Sequence, residues 1–129
     1  MRYNADMAKT LHIQACHPLD LHLCTTRKQA RKLYAKYVVD YDGLRTMDGY
    51  SSALVNSTTG DTVHVMVITP PPYCGWVDIV GLICHESYHC AERYWEEIVE
   101  ESPGEECMAY LIQAIATQVI SNYPLDQGK

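Results

Sequence analysis

Two histidines, His85 and His89, lie four positions apart in the sequence His-Glu-Ser-Tyr-His, and Glu86 stands between them. On a helix, positions four apart share a face, so both imidazoles can reach a single cation. Two neutral imidazoles and one further protein ligand leave a tetrahedral zinc ion with one open position, where bound water loses a proton near neutral pH. A glutamate beside that water can act as general base during attack on a carbonyl carbon. The five residues therefore predict a zinc-activated water with Glu86 as its base.

The residues before this motif favour a buried helix over a solvated one. Residues 79–84 form the apolar run Ile-Val-Gly-Leu-Ile-Cys, which leads directly into His85. The alternative is a solvated helix face that carries two ordinary histidines, but an apolar segment beside the motif favours partial burial. Polar side chains that are partly buried need partners, and a metal ion is one such partner. The context therefore supports a metal site.

A catalytic zinc site needs a third protein ligand, which must come from outside the motif helix. Glu92 shares the helix face with the two histidines, but positions seven apart are separated by about 10 Å along the axis. That separation is too large to complete a tetrahedron. Glu105 and Glu106 stand in the first turn of the next predicted helix, after a Ser-Pro-Gly break. Packing of the two helices can bring either glutamate to the metal.

The motif and the residues that follow it resemble a known family, the HExxH zincin metallopeptidases, and within them the gluzincins. Gluzincins take their third ligand from a glutamate on a following helix, and their aminopeptidases often carry it in an Asn-Glu-x-x-Ala setting. The sequence Glu-Glu-Cys-Met-Ala at 105–109 is similar to that setting when Glu106 is the ligand. The resemblance implies a zinc cofactor, a peptide or protein substrate, and metal ligation by His85, His89 and Glu106, with Glu105 as second choice.

Other HExxH groups fit to different degrees. Residues 104–113 also resemble small HExxH proteins encoded by phages and prophages. A metzincin would have glycine and histidine where this chain has Glu92 and Trp95. The three-histidine pattern of RNA-processing metalloproteins is absent. Many gluzincins add a side chain that stabilises the oxyanion, and the candidates here are three tyrosines and one histidine: Tyr73, Tyr110, Tyr123 and His64.

The charge distribution bears on the partners. The net charge is -6, yet residues 1–45 hold eight Lys and Arg against four Asp, and residues 46–129 hold two against twelve acidic residues. The acidic part predicts either a solvated surface or a negative rim that attracts basic peptide segments and repels phosphates. The five basic residues within 27–36 are predicted to be the solvated face of an amphipathic helix. We therefore expect no nucleic-acid partner.

Length and cysteine usage predict the organisation and the compartment. Residues 1–129 are expected to form one domain, because this length suits a single core. The chain shows no apolar secretory segment and no run as long as a membrane span. The six cysteines include no Cys-x-x-Cys pair and are expected to be free thiols, as in a reducing compartment. These features predict a cytoplasmic protein with no membrane partner, in the host cytoplasm if a phage encodes it.

Hydrophobic periodicity predicts the elements that position the motif. They are strands at 10–16 and 19–24, a helix at 27–37, a loop at 40–49, a hairpin of strands at 52–56 and 62–68, the motif helix from 75–78 to 101, and a second helix from 105 to 121. This order predicts an α+β fold, a minimal zincin-like core whose small mixed sheet packs on the motif helix and the ligand-bearing helix. Residues 63–68 are predicted to be the sheet edge that receives an extended substrate.

Two functions are compatible with these residues. The first is a zinc-dependent metallopeptidase that hydrolyses peptide bonds through the metal-activated water. The second is a noncatalytic, metal-stabilised binding or regulatory protein, in which the same ligands serve folding. Glu86 separates the two functions, because a structural site has no need of a base beside the metal. The sequence therefore favours the enzyme.

Overall fold

The structure, a computed structural model, describes residues 7–14, 19–39, 48–97 and 104–124. Three helices and four strands occur in these ranges, in the order β1 (Lys9–Ile13), β2 (Leu19–Cys24), α1 (Arg27–Lys36), β3 (Gly49–Val55), β4 (Thr62–Ile68), α2 (Trp76–Glu97) and α3 (Glu105–Asn122). The fold is α+β with a small mixed sheet, which confirms the predicted class. The predictions for residues 15–16, 40–47 and 98–101 lie outside the described residues.

The sheet has the strand order β1-β2-β4-β3. β1 pairs antiparallel with β2, β2 pairs parallel with β4, and β4 pairs antiparallel with β3, which confirms the predicted hairpin. A parallel pair needs a crossover connection, and the segment that contains α1 and β3 supplies it between β2 and β4. Within the described sheet β4 is therefore internal, and the edges are β1 and β3. The prediction that residues 63–68 form an edge is wrong.

The two faces of the sheet carry separate cores, because alternate residues of a strand point to opposite sides. Met66 and Ile68 of β4 face α2 and α3, where they join a cluster that includes Ile83 and Ile115. Val65 and Val67 face the other way and pack in the cluster that contains Ala30 and Tyr34 of α1. All of these β4 side chains are fully buried. The sheet thus holds α2 and α3 on one face and α1 on the other.

The start of α2 is fixed by a capping interaction. Gly75 precedes the helix, and its backbone N–H donates to Oδ2 of Asp78 at 3.1 Å. This is the reverse half of a capping box, in which an acidic side chain in the first turn accepts from the residue before the helix. The negative charge of Asp78 also lies at the positive end of the helix dipole. The cap therefore helps to fix where α2 begins.

β3 begins at Gly49, three residues earlier than the predicted strand at 52–56, and the reason lies in its packing against α2. A Cβ on Gly49 would stand 2.9 Å from Cδ1 of Leu82. The absence of a side chain lets the helix approach the strand closely, so a residue with turn character is part of the ladder.

Among the described helices, none combines the length and the apolar character that crossing a bilayer requires.

Candidate functional site

The first feature of the site is the pair of histidines on α2. The ring centroids of His85 and His89 are 4.9 Å apart, and the ring planes are inclined by 71°. The side chain of His85 is 65% exposed, and His89 is half-buried. The structure thus brings together the two predicted imidazole ligands on one helix face, within reach of solvent.

Glu86 differs from its neighbours because it is buried. Its side chain is only 5% exposed, and its Oε2 lies 3.9 Å from Nε2 of His85. Burial raises the pKa of the Glu86 carboxyl, and the imidazoles of His85 and His89 and the guanidinium of Arg93 partly offset that rise. A carboxylate whose pKa is raised is a stronger base than one in water. This is the property that the predicted role requires.

The packing of α2 explains the burial of Glu86. Ile83, Ser87, Cys90 and Tyr94 recur every three to four residues on the buried face of the helix, as the helical period demands. Ser87 donates from its hydroxyl to the carbonyl of Ile83 at 2.7 Å, so this polar side chain is satisfied inside the core. Glu86 lies next to this face, whereas His85 is a further 100° around the helix and reaches solvent.

A shallow cleft of about 480 Å³ opens beside Glu86, where the start of β3 meets α2. It is lined by two aspartates, two glycines, one leucine and two motif residues: Asp48, Asp78, Gly49, Gly81, Leu82, His85 and Glu86. The cleft adds two carboxylates that were not predicted as site residues. Asp78 lies seven positions before His85 on the same helical stripe, so periodicity gave a signal for it. Asp48 directly precedes β3, and only the folded chain brings it here.

The third predicted ligand is not assembled with the histidines. Glu106 and Glu105 are both exposed in the first turn of α3. Within residues 7–14, 19–39, 48–97 and 104–124, no three His, Cys, Asp or Glu side chains come close enough together to hold a metal ion. His89 lies about 12 Å before the end of α2 along the helix axis. For Glu106 to join the two histidines as a metal ligand, the start of α3 would have to lie beside the middle of α2.

The residues nominated for oxyanion stabilisation lie elsewhere in the described chain. Tyr73 and Tyr110 are 86% and 66% exposed, and Tyr123 is half-buried near Cys74, with a pKa that burial raises. His64 is buried in β4, and its Nε2 is hydrogen-bonded to Glu97 at the opposite end of α2 from the cleft. No nominated residue is among the described residues that line the cleft.

The two cysteines next to the motif differ in their exposure. Cys90 follows His89 and is buried, and burial raises its pKa to about 12, so its thiol stays protonated at neutral pH. Cys84 is exposed on the other side of the motif. The five cysteines in the described residues are all free thiols, whereas Cys16 lies outside these residues.

Two glycines of the cleft respond differently to an added side chain. A Cβ at Gly81 meets no atom within 4 Å, whereas a Cβ at Gly49 presses on Leu82. We predict that Gly81→Ala raises the free energy of unfolding by about 0.5–1 kcal/mol, because glycine inside a helix is less stable than alanine by that amount. Gly49→Ala is predicted to lower it by about 1 kcal/mol through overpacking.

Urea denaturation of the two variants measures both effects. Equal stabilities for Gly81→Ala and Gly49→Ala would contradict the close approach of Leu82 to β3. Glycine at position 81 makes α2 less stable than alanine would. Its lack of a side chain leaves open space in the cleft, one turn before His85.

The roles predicted for His85, Glu86 and His89 depend on the spacing, burial and mutual geometry of these residues. Comparison of the chain with known protein families, with curated proteins and with solved structures gave no match, so no relative supplies a role for any residue.

Proposed function

We propose that the protein is a zinc-dependent peptidase in which His85 and His89 bind the metal and Glu86 is the general base. The observation that supports this most is the burial of the Glu86 carboxylate beside two clustered imidazoles, at the wall of a cleft. A buried carboxylate destabilises a fold unless it has a partner. A site that served folding alone would gain nothing from that carboxylate.

Each motif residue has a defined task in this proposal. His85 and His89 would hold the metal through their ring nitrogens, and two imidazoles are a donor set that suits zinc. Bound zinc supplies Lewis acidity, which polarises a carbonyl and acidifies water. With the metal in place, Glu86 would accept a proton from the attacking water and pass it to the nitrogen of the leaving amine. Its raised pKa suits both steps, because the same group must take up a proton and then release it.

Glu106 is our proposed third ligand, with Glu105 as the alternative. Both carboxylates are exposed at the start of α3, so neither is committed to the core. α3 packs against α2 through Leu111 and Ile115, which belong to the same core cluster as Ile83. Glu105 and Glu106 lie 16 and 17 positions after His89 along the chain.

The proposed substrate is a peptide or protein segment that binds in extended form beside the cleft. β3 is an edge strand that leads into the cleft at Gly49, and edge strands bind extended peptides through backbone pairing. Asp48 and Asp78 place two carboxylates in the same cleft. Their charges favour peptides that carry lysine or arginine near the cleaved bond. We propose that this hydrolysis takes place in the cytoplasm and that neither a nucleic acid nor a membrane is a partner.

We predict that Asp48→Asn and Asp78→Asn each lower kcat/KM for a lysine- or arginine-containing peptide by about two- to fivefold, the range for exposed ion pairs. The same peptide with glutamine in place of the basic residue should be unaffected by either change. Asparagine keeps an oxygen that can accept from Gly75, so the cap of α2 survives in Asp78→Asn. Asp61→Asn, an exposed change in the β3–β4 turn, is the control. Equal effects on basic and neutral peptides would contradict a charge-based preference.

The experiment that tests the function is digestion of a peptide library by the zinc-loaded protein, with Glu86→Gln as the matched inactive variant. Peptides that disappear only with the wild type support the peptidase. If zinc binds and folds the chain but no peptide is cleaved, the noncatalytic metal-stabilised binding protein becomes the better account.

A further inference from the structure

A second cavity lies between α1 and the β1–β2 hairpin, away from the α2 cleft. Its volume is about 170 Å³, and its wall includes two lysines, a histidine, a threonine and apolar side chains: Lys32, Lys36, His22, Thr10, Leu33 and Met7. An engineered cavity of about 150 Å³ is large enough to bind benzene. The α1 cavity therefore has room for one small organic molecule.

The charge that the described part of α1 brings to this cavity is positive. α1 carries five basic residues and no acidic residue in the sequence Arg-Lys-Gln-Ala-Arg-Lys-Leu-Tyr-Ala-Lys. Lys32 and Lys36 are one turn apart, and like charges at this spacing destabilise a helix. Neither lysine forms an ion pair with another residue that the structure describes. Asp20 on β2 is already hydrogen-bonded to His12, with 2.7 Å between Oδ1 and Nδ1.

His22 adds an oriented polar ring to the cavity wall. Its Nδ1 lies 3.0 Å from the hydroxyl oxygen of Thr10 across the β1–β2 ladder. Burial, followed by the charge of Lys36, lowers the pKa of His22, so at neutral pH the ring is a neutral hydrogen-bonding group. Leu33 and Met7 complete the wall with apolar surface. The cavity thus combines a cationic side with an apolar side.

We propose that the α1 cavity binds a small organic carboxylate with a short alkyl chain. The ammonium groups of Lys32 and Lys36 hold the carboxylate, and His22 gives it a further hydrogen bond. Leu33 and Met7 cover the alkyl chain. The ligand offsets the like-charge repulsion along α1, so binding also stabilises this helix. This site does not depend on zinc or on the peptidase.

Titration of the full-length protein with butyrate, followed by ¹H–¹⁵N NMR, tests the proposal. Butyrate should cause saturable shifts at His22, Leu33 and Lys36, and butanol, which lacks the charge, should bind at least tenfold more weakly. Lys32→Gln and Lys36→Gln should each weaken butyrate binding about fivefold or more, as expected for hydrogen bonds to a charged group. Arg31→Gln is the matched control, because Arg31 is an exposed α1 cation outside the cavity wall, and it should change the affinity less than twofold.

Three results would overturn the proposal. Absence of saturable shifts around the cavity would exclude the ligand. If inorganic phosphate bound as tightly as butyrate, the alkyl chain would not contribute to binding. Equal weakening by Arg31→Gln and by the two lysine variants would show general charge attraction in place of a defined site. Circular dichroism of each variant shows whether α1 remains folded during these comparisons.

Discussion

Replacement of Glu86 by glutamine is expected to abolish peptide hydrolysis while zinc remains bound and the chain remains folded. The amide can still hydrogen-bond the attacking water, but it cannot accept a proton from that water. Removal of a general base from a metal-assisted step lowers kcat by about 10²-fold or more. The measurement compares wild type and Glu86→Gln on the same peptide library, at equal zinc occupancy.

The stability of the two proteins without zinc is a control for this comparison, because it depends on the environment of Glu86. Because burial raises the pKa of its carboxyl, the folded state binds a proton there more tightly than the unfolded state does. The stability of the zinc-free wild type therefore falls as the pH rises through this raised pKa. Glutamine carries no charge, so the zinc-free variant should be at least as stable as the wild type at neutral pH. Equal cleavage by both proteins would show that Glu86 is not the base.

The second large effect concerns zinc affinity. His85→Ala and His89→Ala are each expected to weaken zinc binding by at least about 10²-fold, because loss of a ligand exceeds the 10- to 100-fold effects seen for residues that only support ligands. Among the carboxylates, Glu106→Gln should weaken binding at least about tenfold, whereas Glu105→Gln should have little effect. Competition with a zinc chelator measures all four affinities.

The losses of zinc affinity in Glu105→Gln and Glu106→Gln, compared with each other, identify which glutamate is the third ligand. A larger loss in Glu105→Gln than in Glu106→Gln would move the ligand by one residue. No loss in either variant would mean that α3 supplies no ligand. His12→Ala is the control, since His12 is an exposed histidine that is hydrogen-bonded to Asp20 on β2, far along the chain from the motif.

Local structure was readable from the sequence because short-range rules dominate it. The apolar run at 79–84, which leads directly into the motif, indicates a partly buried helix, and the structure confirms this element. The N-cap of α1 is equally local, because the hydroxyl of Thr26 accepts from the backbone N–H of Gln29 at 3.1 Å. Caps and helical stripes depend on residues within one turn of each other.

Strand order was not readable in the same way, because it depends on partners far apart in the chain. The hairpin of β3 and β4 was predicted correctly, but the hairpin does not show which of its strands joins β2. The continuous apolar run from Val65 to Ile68 was the available signal, since a strand buried on both faces reads this way. Asp48 was missed for the same reason, because only the β3–β4 ladder and the packing of Leu82 on Gly49 bring it to the cleft.

The zinc content of the purified protein tests the central claim most directly. Native mass spectrometry of protein prepared with excess zinc, after removal of loosely bound metal, should show one zinc ion per chain in the wild type. The double variant His85→Ala/His89→Ala should retain none under the same conditions. A wild-type chain that is folded and free of zinc, or a double variant that keeps its zinc, would contradict a metal centre at these histidines.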